Sequence, residues 1–335
     1  MKKPLFLVPL MFIIMSSCGE NKAYSRDIFA MDTYMSVKAY GKSAENTVSE
    51  CEKLIHQLDS ELSVTDEKSC IYKLNASKGE PVEVTENASE IIRDAKKISL
   101  KTNGALDITM LPLVKEWGFI DGSYHIPESE TIADLLENVG YQKIQLSDNT
   151  VTIPEGFQID LGSVAKGYTG DKVIDMLKES GIKSAIISLG GNVQTLGRKT
   201  DGSEWKVAVR DPFQPDEDMC ILSVTDKAVV TSGNYERFFI GEDGKKYCHI
   251  FDPENGYPAD KGLVSVTVIG DRGLICDALS TAVFVAGEQR AMNIISEYTD
   301  YDFIMVTDSG KILYTDGISD KFQNISSMPA EETKK

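Results

Sequence analysis

Four short stretches carry residue types that handle phosphate, protons or hard metal ions. The first is Asp160-Leu161-Gly162-Ser163-Val164-Ala165-Lys166-Gly167-Tyr168. A carboxylate ends a strand-like run (Phe157, Ile159), two glycines let the backbone approach a ligand, and Lys166 opens the next helix. Such a turn can cradle phosphate through backbone N–H groups, with the lysine adding positive charge. Taken alone, Gly162-Ser163 is equally a plain turn and Lys166 a solvated helix residue. The second stretch, Ser188-Leu189-Gly190-Gly191-Asn192, pairs two glycines after a strand. That permits positive φ and close backbone approach, and also describes an ordinary tight turn.

The third stretch is Tyr247-Cys248-His249-Ile250-Phe251-Asp252-Pro253-Glu254-Asn255-Gly256. Asp-Pro-Glu-Asn-Gly is a turn. His249 stands just ahead of it, at a strand end, where a general base can be held rigidly. The chain has three histidines, and His56 and His125 have no comparable neighbourhood. The fourth is Cys276-Asp277-Ala278-Leu279-Ser280-Thr281-Ala282, in an otherwise apolar helix. Asp277 and Thr281 are four apart and share a face. A carboxylate and a hydroxyl there cost desolvation unless they have a partner. Two hard oxygens on one helix suit Mg²⁺; spacing alone allows Asp277 equally well as a helix N-cap.

Apolar periodicity supplies the elements that must hold these residues. Val48, Cys51, Leu54, Ile55, Leu58 and Leu62 predict an amphipathic helix. Asn87 and Glu90 have capping-box spacing ahead of Ile91, Ile92, Ala95 and Ile98, with Gly104 as the stop. Further helices are expected over Ile132–Val139 and 166–179, stopped by Gly140 and Gly181. Strands are expected at Ser184–Leu189, Trp205–Val209, Ala228–Thr231 and Val264–Ile269. Asp308-Ser309-Gly310 and Glu242-Asp243-Gly244 mark hairpins. Strands and helices mix without regular βαβ alternation. The expected class is α+β: mixed, largely antiparallel sheets flanked by helices.

The 335 residues are 41% hydrophobic and 26% charged, an ordinary globular balance. A net charge of −17 repels nucleic-acid backbones and argues against that partner class. Lys2 and Lys3 precede an apolar run from Leu5 to Met15, too short to span a bilayer, and Ser16-Ser17-Cys18 follows. This start resembles a bacterial lipoprotein signal, with Met15 where leucine is usual. It implies a signal peptide over 1–17 and lipidation of Cys18. A polar tether over 18–25, a folded domain over 26–325 and a disordered polar tail over 326–335 complete the expected layout. The remaining cysteines, Cys51, Cys70, Cys220, Cys248 and Cys276, are odd in number and contain no CxxC, so at least one thiol is free.

In order along the chain, seven motifs resemble the ApbE family of flavin transferases. They are Met31-Asp32-Thr33, Gly104-Ala105-Leu106-Asp107, the 160–168 stretch, Gly190-Gly191-Asn192, Thr231-Ser232-Gly233-Asn234-Tyr235-Glu236-Arg237-Phe238-Phe239, His249-Ile250-Phe251-Asp252-Pro253 and Asp277-Ala278-Leu279-Ser280-Thr281. The similarity spans about 26–320. It implies two subdomains with a ligand groove between them, and FAD in that groove lined by Met31, Thr65, Ala105, Leu106, Asp107, Asp160, Lys166 and Phe251. It also implies Mg²⁺ held by Asp277, Thr281 and the Ser163 carbonyl, and a catalytic role for His249. The chain departs from the family at Asp32 (usually Gly), Asn234 (usually Asp) and Thr65 (often a tyrosine that stacks on the flavin).

The implied reaction moves the FMN part of FAD to a Thr or Ser hydroxyl of an exported flavoprotein subunit of a membrane redox complex, releasing AMP. The implied enzyme is lipid-anchored at the bacterial cell membrane and faces outward. Two rivals share the motifs: an Mg²⁺-dependent FAD pyrophosphatase that uses water, and a flavin-binding lipoprotein that catalyses nothing.

Overall fold

The computed structural model describes residues 22–335. The segment expected to be a signal peptide, 1–17, and the expected lipidation site Cys18 lie outside them. Nine strands form one sheet, and their order across the sheet is their order in the chain. They are β1 (Ala23–Ala30), β2 (Thr33–Tyr40), β3 (Ser184–Leu189), β4 (Asn192–Leu196), β5 (Ala228–Gly233), β6 (Leu263–Gly270), β7 (Asp302–Thr307), β8 (Ile312–Thr315) and β9 (Ala330–Thr333). Neighbours are antiparallel except β8 and β9, which run parallel.

Most of the helices lie in a single insertion between β2 and β3: α1 (Ala44–Leu62), α2 (Cys70–Asn75), α3 (Glu86–Lys101), α4 (Leu111–Glu116), α5 (Ser129–Leu136) and α6 (Ala165–Glu179). The long α7 (Gly273–Glu297) connects β6 to β7 and is kinked at Gly287. Helices α1 and α6 pack on the β1–β3 end of the sheet, and α7 on its β5–β7 end. The opposite face carries a three-stranded sheet of Trp205–Arg210, Asp218–Val224 and Phe322–Asn324. Both faces of the central strands are therefore buried. In β7, Phe303 and Met305 enter the helix-side core while Ile304 and Val306 enter the other. This is why β7 reads as a continuous apolar run rather than an alternation.

Two hairpin turns lie side by side at one end of the sheet. Gly190 and Gly191 both have positive φ (62° and 87°), as a two-residue primed turn requires. Met31 and Asp32 adopt the same left-handed region (49° and 55°) without glycine's freedom. The Gly190 N–H donates to the Tyr34 carbonyl (3.2 Å) and joins the two turns.

The α+β class, the mixed and mainly antiparallel sheets and the helices on the sheet follow the expectation. Several local readings need correction. Thr85, not Asn87, caps α3, its hydroxyl accepting from the Ala88 N–H (3.2 Å). Asn87 and Glu90 instead accept from the Tyr168 hydroxyl on α6, at 2.9 and 2.8 Å. Residues 157–160 form no strand. Asn75 instead brackets the Ile159 backbone with both amide atoms, at 2.9 and 2.7 Å. The tether is shorter than expected, since β1 begins at Ala23.

The polar tail is not disordered. Met328 packs on the core, Ile312 N–H donates to the Pro329 carbonyl (2.8 Å), and β9 pairs along β8. Lys335 then bridges Asp302 (2.7 Å) and the Thr299 carbonyl (2.9 Å). Strand pairing satisfies backbone groups, so a segment poor in apolar residues can still be held. All five cysteines of the described residues are free.

Candidate active site

The site forms where α6 begins. Leu161, Ser163 and Val164 lead into a helix with no side-chain N-cap of its own. Its early N–H groups must find partners elsewhere. Asp277, from α7, supplies one: its Oδ2 accepts the Gly167 N–H at 2.8 Å. The two helices can approach this closely because both are glycine at the crossing. A Cβ on Gly167 would overlap the Gly273 carbonyl and press on Asp277, and one on Gly273 would overlap Gln194. Gly167 therefore admits a helix, not a phosphate as its motif first implied. Gln194, from β4, donates to the Gly167 carbonyl (3.1 Å) and fills the third side of the crossing.

Asp277 is 4% exposed, and burial pushes its carboxyl up to about 6, against the opposing pull of Lys166 and the Gly167 N–H. It stands a full turn inside α7 and does not cap that helix. Asp171 of α6 does so, accepting from the Gly273 and Leu274 N–H groups. Among the described residues Asp277 has no ion-pair partner. A nearly buried carboxylate in that state, with a hydroxyl one turn along the helix, fits a hard cation. Thr281 Oγ1 belongs to a hydroxyl chain that runs through Ser232 (3.3 Å) and Ser280 (2.7 Å) to the Asp277 carbonyl (2.9 Å). No group of three or more His, Cys, Asp or Glu side chains suited to a metal occurs among the described residues. A cation here would therefore rest on one carboxylate plus hydroxyl and carbonyl oxygens, the kind of set Mg²⁺ accepts while keeping waters.

Lys166 links the motifs. Its charge is felt at Asp160, Asp277 and His249, and its Nζ donates to the Gly162 carbonyl (3.2 Å). Asp160 accepts the Gly162 N–H (2.9 Å), and burial raises its carboxyl despite the nearby Lys166 and Arg237 charges. The Asp160 N–H donates to the Ile108 carbonyl (2.8 Å), which brings the 105–107 loop alongside. Asp107 spends both oxygens within that region, accepting from Thr109 N–H (2.8 Å), Thr109 hydroxyl (2.6 Å) and Tyr141 N–H (2.9 Å). Ala105 lines a cavity of about 330 Å³ between the end of α3 and the second half of α7, and Leu106 is buried. Met31 Sδ lies 3.9 Å from Thr169 Oγ1, about one turn from the start of α6.

His249 follows the short strand Lys246–Cys248, paired with Phe238–Ile240. Its burial, with the Arg237 and Lys166 charges, pushes the imidazole down to about 4, so it is neutral at physiological pH. Phe251 is buried in an aromatic cluster, 5.8 Å from the Trp117 ring and 5.7 Å from Phe119. Thr65 is the residue the structure does not tie to the others. It is exposed, and its hydrogen bonds stay with Ser63. Asp171, Gln194 and Arg237 support the site but were given no role from sequence. Only Arg237 had a signal there, as the cation inside the Thr231–Phe239 motif.

Fold and site together define an α+β protein with a buried carboxylate and a lysine at a helix terminus and a neutral imidazole beside them. The chain belongs to the ApbE family, whose model matches residues 31–305. It is 33% identical over 300 residues to an FAD:protein FMN transferase of Klebsiella pneumoniae, covering 88% of this chain and 92% of that protein. It is 30% identical over 330 residues to one of Treponema pallidum, covering 91% of each. The crystal structure of the ApbE protein of Thermotoga maritima superposes with a TM-score of 0.83 at 30% identity, over 88% of this chain and 98% of that one. The apo flavinyl transferase ApbE of Pseudomonas stutzeri gives 0.80 at 29% identity, over 90% and 97%.

Proposed function

We propose that this protein is an FAD:protein FMN transferase. The acceptor hydroxyl oxygen attacks the FMN-side phosphorus of FAD. A new P–O bond forms, the bond to the AMP phosphate breaks, and AMP leaves with the electron pair. The observation that carries this reading is the meeting of Lys166, Asp160, His249 and Asp277 at the start of α6, in a chain whose relatives bear that activity's name.

The chain's own groups divide the work. Lys166 supplies fixed positive charge for the pyrophosphate. The entry to the 160–164 loop is pinned at Ile159 by Asn75 and at Asp160 by Ile108, so its backbone needs little rearrangement on binding. Neutral His249 takes the acceptor hydroxyl proton on its unprotonated nitrogen. Asp277, Thr281 and the Ser163 carbonyl would hold Mg²⁺. Once bound, Mg²⁺ offsets phosphate charge during transfer. Met31, Ala105, Leu106, Asp107, Asp160 and Phe251 are the residues proposed to line FAD, with Thr65 proposed from the resemblance alone. Asp107 would act by shaping its loop, because its carboxylate is already occupied.

The acceptor we propose is an exported flavoprotein subunit of a membrane redox complex. The enzyme would be held at the membrane surface by lipid on Cys18, facing the periplasm or exterior. No helix among the described residues is long and apolar enough to cross a membrane. Incubation with FAD, Mg²⁺ and candidate acceptor domains tests the proposal. Covalent flavin on the acceptor supports transfer. Free FMN with AMP would make the protein a pyrophosphatase, and unchanged FAD would make it a carrier.

A further inference from the structure

Arg237 holds His249 directly through its backbone and indirectly through Phe119. Its backbone carbonyl accepts the His249 N–H at 3.1 Å and lies 3.1 Å from the ring Nδ1. A carbonyl has no hydrogen to give, so Nδ1 carries the proton and Nε2 keeps the lone pair. The Arg237 side chain is anchored separately, with Nη2 donating to the Phe119 carbonyl at 2.7 Å. The Phe119 ring packs on the imidazole, their centroids 6.4 Å apart. Phe119 is itself fixed by Phe251 and Phe239, at 5.7 and 5.9 Å. Three residues from three segments thus close a loop of contacts around one imidazole.

We propose that Arg237 is a positioning residue for the proton transfer: its carbonyl fixes the Nδ1–H form of His249, and its guanidinium, pinned to Phe119, keeps the ring in the form whose Nε2 can accept the hydroxyl proton. The proposal rests on His249 as the base and goes beyond it by naming what prepares that base. Two cations act on the ring, Arg237 from the hairpin and Lys166 from α6, and both disfavour a third positive charge beside them. Asp160, near the same cations, is the carboxylate of that cluster. Arg237 is exposed, so its replacement leaves the packed core in place.

The chain's three histidines make a direct test practicable. The ring resonances of His56, His125 and His249 are followed by NMR against pH in the purified protein, with His249→Gln assigning the third. In the wild type His249 should stay neutral, as the Nδ1–H tautomer, from about pH 8 down to about pH 5.5. Arg237→Leu keeps the carbonyl and removes the charge, and should move the midpoint up by about one pH unit or more. Arg237→Lys should restore much of the wild-type midpoint. In transfer assays Arg237→Leu should lower kcat most at acidic pH while leaving KM for FAD within about twofold. An unmoved midpoint in Arg237→Leu would overturn the proposal. So would a raised KM with an unmoved midpoint, which would make Arg237 a substrate contact instead. The titration needs neither FAD nor an acceptor, so failure of the transferase reading shows up separately, as a wild type that leaves no covalent flavin on any acceptor.

Discussion

Asp171 and Asp277 each cap the other's helix. Asp171 projects from α6 onto the first turn of α7, accepting from Gly273 N–H (2.5 Å) and Leu274 N–H (3.1 Å). Asp277 projects from α7 onto the first turn of α6. Two helix N-termini, each electropositive, are neutralised by two carboxylates exchanged across a glycine crossing. Burial lifts both acids to about 6. One of the pair completes a helix terminus. The other does so with one oxygen and offers the rest of its carboxylate to the site.

Asp277→Asn should therefore help the ligand-free fold and abolish its response to Mg²⁺. The folded carboxyl sits at about 6 against an ordinary 3.8, so folding favours its protonated form. That contribution is complete below about pH 4 and lost as pH rises through 6. At pH 7 the ionised group costs on the order of 2–3 kcal/mol, which the amide avoids while still accepting from Gly167. Melting at pH 7.5 should be higher in the variant than in the wild type, the two converging near pH 4. Mg²⁺ should raise the wild-type midpoint only. A variant that melts lower at pH 7.5 and still responds to Mg²⁺ would remove Asp277 from the cation site.

Gly167→Ala should damage both fold and site. The added methyl meets the Gly273 carbonyl, a backbone atom that cannot swing aside. Overpacking of this kind costs about 1–3 kcal/mol. Urea unfolding measures that loss, and Mg²⁺ affinity by calorimetry should fall in parallel as Asp277 is pushed off its N–H. Wild-type stability in the variant would mean that the crossing is looser than described.

His249→Ala should lose transfer and keep FAD. Removal of a general base lowers the rate by roughly 10²–10⁴. Flavin fluorescence reports binding and a single-turnover assay reports transfer. Because the imidazole is held near 4, the wild-type rate should stay level from pH 8 to about pH 5 and fall only below that. Loss of FAD binding in the variant would make His249 a structural or binding residue.

Cys18→Ser tests the anchor. Acyl chains on one cysteine are the proposed membrane attachment, so the variant should appear as soluble or uncleaved exported protein on fractionation. Continued membrane association after signal removal would reject lipidation at this position.

The sequence disclosed what local physics decides. Gly181, Gly190-Gly191 and Gly310 mark turns because each must take positive φ, and the structure gives each that angle. The periodic faces of α1 and α6 were visible for the same reason. Relations set by tertiary contact were hidden. Asn87 and Glu90 have capping-box spacing but serve Tyr168, a residue from another helix. Asp277 looked like a choice between cap and ligand. It caps a helix remote in sequence, which no local pattern can encode. The tail looked frayed because backbone pairing along β8 leaves no apolar signature.

The strand order of the large sheet has a consequence for how the chain folds. From β3 to β8, each strand pairs with a neighbour made soon before or after it. The seam between β2 and β3 differs, joining Tyr40 to Ser184 across the whole helical insertion. Closing so long a loop is slow relative to hairpin formation. The β1–β2 ribbon is the first part synthesised, and two strands alone are marginal in water. The edge that will accept it, β3, is made only after the whole helical insertion. Its docking on β3 is then the natural rate-limiting step of assembly, and Met31 reaches α6 only when that seam closes.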